Sequence, residues 1–96
     1  MHPNKVVRQR VETLTDLPNI GRAGAADLVR LGIMVPGDLI GKCPFEMYQQ
    51  LGVLTGKAQD PCVLDVFMSI TDFMAGGEAR HWWSYTPTRK CTLKRC

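Results

Sequence analysis

The residues whose types and spacing can do chemistry gather in one stretch, Leu17-Pro18-Asn19-Ile20-Gly21-Arg22-Ala23-Gly24-Ala25-Ala26-Asp27-Leu28. A turn at Gly21 that feeds directly into a helix start leaves several backbone N–H groups without intrahelical partners. Such a cluster, at the positive end of the helix dipole, suits an anion such as phosphate. Ala23, Gly24, Ala25 and Ala26 are small enough for a phosphodiester or a second helix to approach, and Arg22 adds a fixed charge. Two readings stay open on these residues alone. The stretch is a phosphate site, or Gly21 only shapes a helix-turn-helix connection while the alanines pack.

Other chemistry is thinner. Cys43, Cys62, Cys91 and Cys96 form no C-x-x-C pair and no zinc-finger spacing, so no metal site is expected. The polar start Met1-His2-Pro3-Asn4-Lys5 has no signal-peptide core, which points to the cytoplasm and to reduced thiols. Cys43 and Cys62 each sit beside a proline at a helix start, where a thiol pKa can fall, packing or weak capping being the other reading. The histidines are His2 and His81, with no Ser-His-acid or Cys-His pattern and no glycine-rich loop after a strand. No enzymatic activity and no cofactor is expected, apart from a cation considered below.

Stepping outward, 96 residues with 45% hydrophobic content suit one small core. No apolar run approaches the roughly 18 residues of a membrane span. The net charge of +3 is unevenly placed. All nine acidic residues lie between positions 12 and 78, accompanied there by Arg22, Arg30, Lys42 and Lys57, while the other eight basic residues lie outside those limits. An acidic body with basic ends can reach phosphate or an acidic partner through its termini, and short basic ends are also ordinary solubilising tails.

Val7, Val11 and Leu14 recur at helical spacing, so residues 5–15 read as a first helix that Pro18 helps to end. A second helix is expected from about Arg22 to Leu31, closed by Gly32 with Ile33 packing back. One turn follows at Pro36–Ile40. The next helix starts at Pro44 and is closed by Gly52, and residues 54–59 read as a loop. Asp60-Pro61 is the strongest helix start in the chain and opens a long apolar helix to about Ala75, ended by Gly76-Gly77. No stretch alternates with period two long enough for a sheet. The expected fold is all-α, a compact bundle of about five short helices in a single helix-hairpin-helix domain over 1–85, with a basic, disordered tail over 86–96. Adjacent Trp82 and Trp83 cannot both face the core. They read either as a base-stacking or partner-docking surface, or as a cap over the open end of the bundle.

The stretch from Leu17 resembles the helix-hairpin-helix motif of DNA repair and DNA-handling proteins, through Leu17, Ile20, Gly21 and Ala25. Asn19 stands where many members have glycine, and asparagine tolerates a left-handed backbone, so the turn is expected to be kept. Over roughly residues 12–85 the chain is also similar to a small bacterial family named for a pathogenicity locus, some of whose members carry a mitomycin-resistance label. That similarity runs through Leu31-Gly32-Ile33, Asp38-Leu39, Pro44, Tyr48, Cys62-Val63-Leu64, Phe67 and Trp82-Trp83. More loosely, the first half resembles the C-terminal domain of TfoX competence regulators. The motif resemblance implies that the amides of Asn19, Gly21, Ala23 and Gly24 hold a DNA phosphate beside the Arg22 side chain. It also implies that the carbonyls of Thr15, Leu17 and Ile20 can hold a monovalent cation.

The expected function is therefore sequence-nonspecific binding of duplex or branched DNA through its backbone, since phosphates carry no sequence information directly. The alternative is a protein-interaction module in which the hairpin is kept for packing and Trp83 and Tyr85 form the partner surface. The charges around the hairpin discriminate between the two. Arg22 and Arg30 on its face favour DNA, whereas Asp16, Asp27 and Asp38 around it repel phosphate.

Overall fold

A computed structural model describes residues 1–91. Four α-helices carry the fold: α1 Arg22–Arg30, α2 Pro44–Thr55, α3 Pro61–Met74 and α4 Thr86–Cys91. Short 3-10 turns at Pro3–Lys5, Arg8–Arg10, Leu14–Asp16, Pro36–Leu39 and Trp82–Tyr85 join and flank them, and the described residues contain no strand. The all-α expectation holds.

Helix α3 is the centre. Asp60 accepts a hydrogen bond from the Cys62 amide at 2.9 Å and Pro61 occupies the first turn, so the helix starts where its capping residues dictate. Leu64, Phe67, Met68, Ile70 and Phe73 are buried along it, and α2, the Pro36–Leu39 turn and the Trp82–Tyr85 turn pack around it. Leu14, Leu17 and Ile20 reach this core from the hairpin, and Leu28, Ile33, Leu39, Met47 and Leu51 complete it. Each such side chain contributes roughly 2 kcal/mol by leaving water. The two apolar anchors of the hairpin, Leu17 and Ile20, thus hold the turn in place whether or not a ligand is bound.

Helix α1 ends as expected: Gly32 takes φ +83° and the Ile33 amide returns to the Leu28 carbonyl at 2.9 Å. Three expectations are corrected. Residues 5–15 form no continuous helix. Val7, Val11 and Thr13 are extended, separating the turns at Arg8–Arg10 and Leu14–Asp16. The Asp16 carboxylate gathers the Glu12 amide at 3.0 Å, the Thr13 amide at 2.9 Å and the Thr13 hydroxyl at 3.1 Å, which favours a local turn over helix propagation. Second, α2 continues through Gly52 to Thr55, where Gly56 at φ +71° supplies the left-handed cap. A glycine inside a helix costs only about 1 kcal/mol, less than a packed helix gains by continuing.

The third correction is at the C-terminal end. The chain does not leave the fold at residue 85. Asp65, fully buried on α3, accepts the Thr86 hydroxyl at 2.6 Å and Arg89 Nε at 2.5 Å, and these bonds seat α4 against the bundle. Residues 92–96 of the expected tail lie outside the described residues.

Candidate nucleic-acid interface

Asn19 determines the geometry of the hairpin. Its backbone is left-handed, φ +66°, as the sequence led one to expect. Its side chain turns inward: Nδ2 donates to Ser69 Oγ at 3.0 Å and to the Arg80 carbonyl at 2.7 Å, and Ser69 in turn donates to the Val66 carbonyl. One asparagine therefore ties the hairpin to α3 and to the segment that leads into Trp82. Gly21 has no comparable backbone demand. It sits at φ −104° and ψ −165°, extended backbone open to any residue.

The Leu17 and Ile20 carbonyls, two of the three that the motif resemblance offers to a monovalent cation, both accept from one group of the chain itself. That group is the Met1 ammonium, 2.7 Å from the Leu17 oxygen and 2.6 Å from the Ile20 oxygen. Burial lowers its pKa, partly opposed by the Asp16 carboxylate. The Thr15 carbonyl makes no recorded bond to it. The Met1 carbonyl accepts the Asn19 amide at 2.7 Å. This corrects one candidate site residue, because the Asn19 N–H is spent within the chain and is not open to a phosphate.

The next four amides are different. The first helical bond of α1 joins the Ala25 amide to the Gly21 carbonyl at 2.9 Å, and among the described residues the amides of Gly21, Arg22, Ala23 and Gly24 have no acceptor. Gly21, Arg22 and Ala23 are exposed, and a Cβ placed on Gly21 would meet nothing within 4 Å. Gly24 is closer, with Ile20 Cδ1 at 3.3 Å from the same construction. Among the described residues the Arg22 guanidinium has no partner, unlike that of Arg30, which pairs with Asp27 at 2.7 Å. The three nearby acids are directed elsewhere. Asp27 faces Arg30, Asp16 its own turn, and Asp38 accepts the Met34 and Val35 amides at 2.9 and 3.3 Å. The backbone bonds to Asp16 hold its carboxyl below the usual range, so it stays charged.

Against this edge lies a groove of about 500 Å³ that the sequence did not reveal. Asn19, Ile20 and Gly21 form one wall, and His81, Trp82 and Trp83 form the other, with Met1, His2 and Pro3 at the end. His81 and Trp83 stack nearly parallel, 10° apart with centroids at 4.2 Å, and Trp82 meets Trp83 edge-on at 5.6 Å. Trp83 is 55% exposed. Trp82 is half-buried. Tyr85 does not share the surface, because its hydroxyl donates to Asp72 at 2.7 Å. Burial and the Asp72 carboxylate push its pKa up.

A family model matches residues 7–91, nearly all of the described chain. The protein belongs to the Cdd1 pathogenicity locus family. A relative from Streptomyces lavendulae, the mitomycin resistance protein McrB, is 43% identical over 80 residues, covering 83% of this chain and 76% of that protein. No solved structure matches. The match takes in the hairpin, His81 to Trp83 and the Asp65 cluster, while Met1, His2 and Pro3 lie ahead of it.

The basic ends resolve into different roles. Arg8 is held by the Phe73 carbonyl at 2.8 Å and by the Gly77 carbonyl, and it lies over the Phe73 ring at 4.1 Å. Arg89 is committed to Asp65. Lys5 and Arg10 line a hollow of about 220 Å³ with Met1 and Asp16, beside the hairpin. Lys94 and Arg95 lie outside the described residues. Neither candidate thiol is activated. Asp60 and burial raise the Cys62 pKa, and Cys43 is in a disulfide, which corrects the expectation of reduced thiols throughout. The described residues hold no cluster of metal-ligating side chains, and no helix among them is long and apolar enough to cross a membrane.

Proposed function

We propose that this protein is a binding module, not an enzyme, that grips the DNA backbone without reading sequence. The observation that carries this reading is the run of amides at Gly21, Arg22, Ala23 and Gly24 that have no acceptor among the described residues, exposed at Gly21 to Ala23 and flanked by the Arg22 side chain. Amides at a helix start complement a phosphate through both their protons and the helix dipole. The packing of Leu17 and Ile20 and the bonds of Asn19 fix these donors before any ligand arrives. The name of the Streptomyces lavendulae relative states resistance to mitomycin and assigns no DNA contact, so DNA binding rests on this geometry and on the motif resemblance.

A contact with one or two phosphates gives a salt slope of only about −1 to −2 in log affinity against log salt. Arg22, within the run itself, would add its charge to this contact. The test is an amide chemical-shift titration with a short blunt duplex at low salt. Shifts at Gly21 to Gly24 that fade as salt is added are expected, with the Asn19 amide moving less. Unmoved Gly21 to Gly24 amides at low salt would overturn the reading.

A further inference from the structure

The groove sets two kinds of ligand chemistry side by side. Gly21, whose amide opens the anion-binding run, lines the same groove as His81 and Trp83, whose rings stack on each other. Open amides suit a phosphate, and an exposed indole suits a flat ring. A nucleotide with its base unpaired carries both groups at short separation. In an uninterrupted duplex the bases are stacked inside, so only phosphate is offered to such a surface. The groove, about 500 Å³, is open to solvent, and the bond from Asn19 to the Arg80 carbonyl, next to His81, links the hairpin to the aromatic segment.

We infer that the groove between Gly21 and Trp83 receives an unpaired base of single-stranded DNA, stacked on Trp83 while its phosphate lies on the α1 amides. This inference rests on the phosphate-binding reading and narrows it to DNA with an end, gap or branch. Stacking tolerates every base, so the inference carries no preference for one base over another. The Trp83 surface also fits the alternative in which a protein docks there, and the test separates the two.

Three DNAs serve as probes at equal salt: a blunt duplex, the same duplex with a single-stranded thymidine overhang, and a short oligothymidylate. The inference expects the overhang to bind about tenfold more tightly than the blunt duplex, the size typical of one stacked base. It also expects both single-stranded probes to quench tryptophan fluorescence. Trp83→Ala removes the preference for the overhang, and Trp83→Phe, which keeps a ring, retains part of it. Far-ultraviolet circular dichroism checks that each variant is folded. Equal affinity for blunt and overhang DNA, with no quenching in the unaltered protein, overturns the inference while leaving phosphate binding standing. Failure to bind any of the three overturns both.

Discussion

The hairpin edge and the Asp65 corner both lean on α3, and both are built from polar groups, but they dispose of those groups in opposite ways. At Asp65 the carboxylate is wholly buried, and Thr86 and Arg89 satisfy it from α4. At the hairpin, the carbonyls of Leu17 and Ile20 and the amide of Asn19 are likewise satisfied from within the chain, by Met1. The pairing stops there. The next four amides face outward with no partner among the described residues. A buried ion pair adds little net stability over an apolar pair, yet breaking it is costly, so it acts as a locator for α4. Exposed donors add nothing to the fold and are free to meet a ligand. The comparison separates what holds the molecule together from what it offers.

Four substitutions test that separation, from the largest expected effect to the smallest. Asp65→Ala strands the Arg89 guanidinium and unseats α4. A loss of about 3 kcal/mol is expected, or a drop of roughly 15 °C in melting temperature for a chain of this size. An unchanged melting temperature would mean that the corner is not a locator. Asn19→Ala removes two side-chain hydrogen bonds and places a Cβ in left-handed backbone, for about 2 kcal/mol in a denaturant titration. Asn19→Gly relieves the backbone and should lose only about 1 kcal/mol, and equal losses would show that φ is not what asparagine supplies.

The smallest effect, about 1 kcal/mol, is expected for Tyr85→Phe, which removes the hydroxyl bond to Asp72. Its pH dependence gives a sharper readout. The folded-state pKa of Tyr85 lies above the unfolded value, so its contribution is complete below about pH 10 and fades as pH rises beyond it. Chemical denaturation across that alkaline range should fall less steeply for Tyr85→Phe than for the unaltered protein. Parallel curves would remove the tyrosine from the account.

Where local chemistry decided the outcome, the sequence was legible. Asp60-Pro61 started α3, Pro44 started α2, Gly32 ended α1, and Asn19 took the left-handed position. Where a distant partner decided, it was not. Val7, Val11 and Leu14 have helical spacing, but the Asp16 carboxylate captures two amides ahead of it and Arg8 reaches across to Phe73 and Gly77. Asp65 gives no sign in the sequence of being buried, so the helix it recruits from the basic end could not be anticipated. The open amides were visible as residue types. The groove was not, because Gly21 and Trp83 stand 62 positions apart and meet only through the fold.

The inward turn of the Asn19 side chain has one further consequence. Because a single amide group joins the turn to Ser69 on α3 and to the backbone beside His81, the two walls of the groove are parts of one stiff frame. A ligand entering between them finds the donors and the rings already at their working distance and need not draw a loose loop into order. Its affinity is then diminished chiefly by its own loss of freedom. On the proposed reading, selectivity is then a matter of span: the favoured molecule is one whose charge and flat ring stand as far apart as the α1 amides and Trp83.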